Sequence, residues 1–130
     1  MRNRRSAKDA GARWEREIAE YLRDEWGFDF ADRRVRTGAD KGDIGGLGLP
    51  VVIQAKHHAT YSISEWLNDA QEQADNAKAD MGVVWAHRKG KASPGEGFVI
   101  LRGEDFATLL AVWRNEAERR MAGYLEQVPG

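Results

Sequence analysis

Apolar positions change period several times along the chain, and each change marks an element. Between Ala10 and Trp26 they recur every three or four residues (Trp14, Ile18, Tyr21, Leu22, Trp26), the repeat of a helix with one apolar stripe. Asp9 or Ser6 is placed to cap its start and Gly27 to stop it. Alternation through Phe28 and Phe30 to Val35 predicts a strand over Gly27–Val35. A second, short strand begins at Asp43-Ile44, Gly45–Pro50 has turn chemistry, and the β-branched run in Val51–His57 predicts a buried third strand. The second and third lie close enough in sequence to form an antiparallel hairpin.

The helical period returns in Tyr61–Asp80, with a narrow stripe of Ile63, Trp66, Leu67, Ala70, Ala74 and Ala77. Its small side chains suit close approach to a sheet. Gly82–Ala86 is the next strand, and a strand–helix–strand unit of this spacing predicts a right-handed parallel crossover. A polar loop, His87–Gly97, leads to a last strand in Gly97–Arg102. From Gly103 a C-terminal helix carries Phe106, Leu109, Leu110, Trp113, Ala117 and Met121 at helical spacing. The order α-β-β-β-α-β-β-α predicts an α/β fold, a mixed sheet of about four or five strands with helices on both faces.

A chain of 130 residues suits one domain. We expect it over residues 10–130, preceded by a flexible basic arm at Met1–Asp9. The absence of cysteine excludes thiolate metal sites and cysteine nucleophiles. No apolar run approaches the ~20 residues of a membrane span. The basic N-terminus has no apolar segment behind it, so no secretory signal is expected. These features predict a cytoplasmic protein without a membrane partner, a phage protein acting in its host's cytoplasm included.

The net charge of −1 excludes a uniformly basic DNA binder, but positive charge is clustered. The clusters are Met1–Lys8 (Arg2, Arg4, Arg5), Arg33–Lys41 (Arg33, Arg34, Arg36, Lys41) and His87–Lys91 (Arg88, Lys89). Any one of them is ordinary solvated surface. Three beside a candidate site for phosphate chemistry, described next, would point to DNA.

That site is expected in the predicted hairpin. Strand alternation puts Val52, Gln54 and Lys56 on one face and Ile53, Ala55 and His57 on the other. Asp43, heading the paired strand, can lie across from them. Asp43, the backbone carbonyl of Ala55 and the neutral Gln54 are hard oxygen ligands of the kind Mg2+ takes, with Mn2+ as a substitute. Lys56 is placed to act on the attacking water or on the charge that builds at phosphorus. Glu15, beside Trp14 at the edge of the first helix's stripe, can add a carboxylate, directly or through water. Taken singly, Asp43 reads as a turn residue, and Gln54 and Lys56 as a solvated strand edge. The adjacent His57 and His58 point to opposite faces and cannot readily share an ion.

Gly11-Ala12-Arg13-Trp14-Glu15-Arg16-Glu17-Ile18, then Arg34, Gly38 and Asp43-Ile44, then Val52-Ile53-Gln54-Ala55-Lys56, together resemble the PD-(D/E)xK nuclease superfamily. The likeness is strongest to archaeal-type Holliday junction resolvases. It covers Lys8 to His58 by motif and the later elements by order alone. The resemblance implies a restriction-endonuclease-like fold, metal binding at Asp43, a helix carboxylate at Glu15, a catalytic Lys56, and Arg16 as a DNA contact. Gln54 departs from the glutamate most members carry, although restriction enzymes of the Mrr type also have Gln-x-Lys. The expectation is therefore a Mg2+-dependent endonuclease that cuts branched DNA, most of all four-way junctions. The alternatives are a duplex nuclease of restriction or repair type and a catalytically weak DNA-binding module. Matched cuts in a symmetric junction call for a homodimer, with Trp66 or Trp113 as interface candidates.

Overall fold

The structure, a computed structural model, describes residues 4–34 and 38–127. The elements follow the expected order: α1 (Arg4–Trp26), β1 (Asp32–Arg33), β2 (Ile44–Gly45), β3 (Val51–Lys56), α2 (Ile63–Ala77), β4 (Met81–Ala86), a 3₁₀ turn at Pro94–Glu96, β5 (Phe98–Ile100) and α3 (Gly103–Gln127). It is an α/β protein. Among the described residues no helix is long and apolar enough to cross a membrane.

The centre is the β3-α2-β4 unit. β3 and β4 pair in parallel from Val51↔Met81 to Lys56↔Ala86, as the crossover predicts, and β5 adds to β4 antiparallel. Two backbone bonds clamp the parallel pair at its ends, Asp80 N–H to Pro50 O at 2.8 Å and His87 N–H to Lys56 O at 2.8 Å. Side chains alternate across it. Ile53, Met81 and Val83 meet Trp14 and Ile18 of α1 on one face, while Val84 and Ala86 meet Trp66 and Ala70 of α2 on the other. Truncating Trp14 to alanine would empty the first layer at a cost of about 3–5 kcal/mol. Gly82 is where α2 comes closest: a Cβ there would lie 2.1 Å from the Ala70 carbonyl oxygen. The small-residue stripe of α2 thus serves the close approach expected of it.

Several expectations are corrected. One sheet of four or five strands was expected, but hydrogen bonding divides the strands into a two-stranded sheet, β1-β2, and a three-stranded one, β3-β4-β5. The predicted hairpin of the second and third strands shrinks to one backbone bond, Asp43 N–H to Ile53 O at 2.9 Å. β2 pairs instead with β1, Arg33 opposite Ile44. Gly46, at φ 79°, sets the chain against the Phe30 carbonyl, where a side chain would have no room. Of the strand expected over 27–35, whose last residue, Val35, lies outside the described residues, only Asp32–Arg33 is strand, because a turn, Ala31 N–H to Phe28 O, occupies its first half. Phe30 is left exposed.

The first helix begins at Arg4, so residues 4–9 of the expected flexible arm form its opening turns. Its stripe outruns the sheet. α1 has 23 residues against six in β3 and six in β4, so Trp14 and Ile18 are buried while Trp26 is exposed. α2 stops at Ala77, short of Asp80, because Lys78 adopts the left-handed conformation (φ 54°) and Ala79 N–H returns to Ala74 O. In α3 only Asp105 is buried. Arg102 ties its start to Gln71 of α2 and to Asp105, and the stripe from Phe106 onward is exposed. Of the two tryptophans proposed for an interface, Trp66 is in the core and only Trp113, 73% exposed, is accessible.

Candidate functional site

Asp43 stands where β2 parts from β3. Its backbone N–H bonds Ile53 O, and its carboxylate Oδ2 accepts the Ala55 N–H at 2.7 Å. The side chain thus takes the place that the next strand carbonyl would fill. The same pairing turns the N–H and C=O of Ile53 and Ala55 toward Asp43, whereas the Lys56 carbonyl is turned to the β4 side. The Ala55 carbonyl and the Asp43 carboxylate therefore share one side of β3.

Burial raises the Asp43 carboxyl from 3.8 to about 6. The Ala55 N–H pulls it back, the charges of Glu15 and Asp40 push it up again, and Lys56 pulls it down. Three carboxylates and one ammonium are thus within electrostatic reach of one another, drawn from α1, the loop before β2, Asp43 itself and the end of β3. Glu15 is half-buried and accepts a hydrogen bond from Arg33 Nε at 2.5 Å.

Gln54 is 6% exposed and faces α2. In the amide orientation that meets every neighbour with a complementary group, its N–H donates to Trp66 O at 3.0 Å. Its oxygen accepts from Lys56 Nζ and from Gln73 Nε2, each at 3.2 Å. Lys56 Nζ also lies 5.7 Å from the centre of the Trp66 ring. The Gln54 oxygen, expected as a metal ligand, is thus already engaged by two donors and serves to hold Lys56.

Two residues that the sequence reading passed over belong here. Asp40 accepts from Gln73 Nε2 at 3.1 Å and from Gly42 N–H at 3.0 Å, and its backbone carbonyl accepts from Asn76 at 2.9 Å. Gln73 is buried, and its Oε1 has no hydrogen-bond partner among the described residues. A cavity of about 470 Å³ opens over Asp40, Gln54 and Gln73, with Asp69 and Glu72 at its rim. A signal for Gln73 existed: it follows Ala70 by three and precedes Ala77 by four, on the buried stripe of α2.

The residues expected to contact DNA are distributed over several elements. Arg4, Arg5, Arg16, Arg34, Lys41 and Lys89 are exposed. Arg33 is exposed but shared with Glu15. Arg88 is half-buried, donates to Glu96 O and stacks 4.5 Å from the Phe98 ring centre. It leaves the sheet at the same end as Lys56. Arg2 and Arg36 lie outside the described residues.

His57 and His58 diverge as alternation requires. His57 stacks on His87 at 4.1 Å beside Trp14, and His58 lies against Trp66. A cavity of about 930 Å³ borders His57, His87 and α1, but Asp9, Glu17, Glu20 and Asp24 line it, the wrong sign for phosphate. Among the described residues no three His, Cys, Asp or Glu side chains gather closely enough to hold a metal by themselves. The donors present fit Mg2+ in another way. Two carboxylates, Asp43 and Glu15, and one backbone carbonyl are hard oxygens, and Mg2+ needs only one or two protein carboxylates when water and phosphate complete its shell. The upward push of Glu15 and Asp40 on Asp43 is the repulsion that a cation would relieve.

No protein-family model, no curated protein and no solved structure matches the chain.

Proposed function

We propose that the chain is a metal-dependent DNA endonuclease of restriction-endonuclease-like fold that cuts branched DNA, with the four-way junction as its substrate. The supporting observation is the Asp43 carboxylate on the Ala55 N–H, with Glu15, Asp40 and Lys56 around it. A solvated turn aspartate is not half-buried within electrostatic reach of two other carboxylates and a lysine. In this reading Asp43, Glu15 and the Ala55 carbonyl hold Mg2+, or Mn2+ in its place. The bound ion supplies a Lewis acid for the scissile phosphate and an activated water.

The chain's own groups do the rest. The Ala55 N–H fixes one Asp43 oxygen and leaves the other for chemistry. Lys56, steadied by Gln54, offsets the charge that grows on the non-bridging phosphate oxygens. Arg33 holds Glu15 in place while also presenting positive charge. Arg16, Arg34 and Lys41 attract the DNA backbone from solvent, and Arg4 and Arg5 extend that attraction along α1.

The engagement of Gln54 by α2 favours a second reading, a DNA-binding module with weak or no catalysis. Incubation with Mg2+ and labelled four-way junction, duplex and single strand separates the two. Paired nicks near the crossover are expected. Cleavage of duplex alone identifies a restriction- or repair-type nuclease. Binding without cleavage in Mg2+ or Mn2+ identifies the module.

A further inference from the structure

We propose that α3 is the interface of a homodimer in which two copies of the helix pack antiparallel across Ala117. A 25-residue helix of about 37 Å carries one buried residue, yet it is not a polar helix. Phe106, Leu110, Trp113, Ala117, Met121 and Tyr124 follow one another at steps of three and four. At ~100° per residue they fall within an arc of about 80°. All but Ala117 are large side chains roughly half or more exposed. With Leu109 and Leu125 at the borders, this stripe offers roughly 800 Å² per copy, the area that one partner contributes to a stable interface. Exposed apolar surface of that size marks a binding face.

A second copy of the chain fits that face. Its borders carry both signs one turn apart: Glu116 and Arg120, which within one copy pair with each other at 3.1 Å, on one side, and Arg114 and Glu118 on the other. Across a two-fold axis normal to an antiparallel pair, each border meets itself reversed. Glu116 then approaches Arg120 of the second copy, and Arg114 approaches its Glu118. Both alignments centre the crossing near Ala117, the smallest residue of the stripe. This centring also balances volumes, with Trp113 opposite Met121 and Leu110 opposite Tyr124. A parallel pair would set Trp113 against Trp113 and leave uneven layers. The proposal is independent of the nuclease reading and is tested without DNA or metal.

Sedimentation of the full chain at tens of micromolar should give a dimer, the state expected for an interface of this size. Trp113→Glu should weaken association by ~30-fold or more, with helix content and the thermal transition of the core retained. Arg119→Glu, on the opposite side of α3, should leave the dimer intact. The native chain has no cysteine, so introduced thiols report the packing. Leu110→Cys and Tyr124→Cys proteins should form a disulfide when mixed, and neither should cross-link to itself, because antiparallel packing holds two copies of residue 110 about 21 Å apart. A monomeric wild type, a Trp113→Glu variant still dimeric, dissociation by Arg119→Glu, or efficient self-cross-linking of Leu110→Cys would each overturn the proposal.

Discussion

Gln54 donates its amide N–H to the backbone carbonyl of Trp66 at 3.0 Å. A glutamate in its place has no proton to give at neutral pH and would set a carboxylate against that carbonyl. The residue that departs from the two-carboxylate pattern is therefore the one that fits where α2 meets β3. Gln54→Glu should lower stability by about 1–3 kcal/mol, seen as a lower urea midpoint at unchanged slope. A variant as stable as wild type at neutral pH would show that the Trp66 contact is not what favours the amide.

The Asp43 carboxyl, raised by burial from 3.8 to about 6, links stability to pH. Its folded value lies above its unfolded value, so folding takes up a proton between them. In the metal-free protein this contribution is fully present below pH 4 and is lost as pH rises through about 6. The loss is on the order of 3 kcal/mol. Asp43→Asn should remove that slope and raise the melting temperature of the metal-free protein near pH 7.5, while abolishing cleavage. Melting temperatures measured across pH without divalent metal check this, and an unchanged slope in the variant would clear Asp43 of the effect. Because metal ligation needs the carboxylate, DNA cleavage at limiting Mg2+ should rise with pH through the same region.

In the proposed nuclease Lys56 acts on chemistry more than on folding. Lys56→Ala should cut the cleavage rate by about 10²–10⁴-fold while junction affinity, measured in Ca2+, stays close to wild type. Equal losses of binding and cleavage would make Lys56 a DNA anchor instead.

How much of this was legible in the sequence depends on the length of each element. The three-and-four spacing of Trp14 and Ile18 and the apolar run Val51–Ile53 show the layers that pack, because burial imposes a period wherever an element is long. β1 and β2, two residues each, are too short for a period, so the split into two sheets was not readable. Asp43 and Lys56 were singled out because the expected chemistry needs those groups near each other. Asp40 was missed because its role depends on Gln73 and Asn76, 33 and 36 residues away. The stripe on α3 was plain, but spacing alone does not say whether an apolar face meets its own domain or another molecule.

Arg34 is exposed, and its backbone N–H bonds Asp43 O at 2.7 Å. Replacing its side chain leaves that bond in place. Arg34→Ala should therefore weaken DNA binding at low salt and reduce the slope of log K against log salt by about 1, with no change in stability. An unchanged slope would remove Arg34 from the phosphate contacts.

Gly82 tests the packing that supports the site. An added methyl would meet the Ala70 carbonyl at 2.1 Å, and helix backbone cannot yield as a flexible side chain can. Gly82→Ala should cost about 1–3 kcal/mol by thermal or urea unfolding. It should also loosen Gln54 from Trp66 and so lower activity in the folded fraction. A neutral substitution would show that α2 can slide.

Asp43 ends the ladder of β3 with a side chain instead of a peptide group. One of its oxygens belongs to the architecture, and the proposed function gives the other to the reaction. No substitution at this position can therefore be silent in both respects. An asparagine can keep the Ala55 contact and give up the charge, while a glutamate keeps the charge and overshoots the contact by a methylene. The fork in the strands thus acts as a gauge, set to the length of one aspartate.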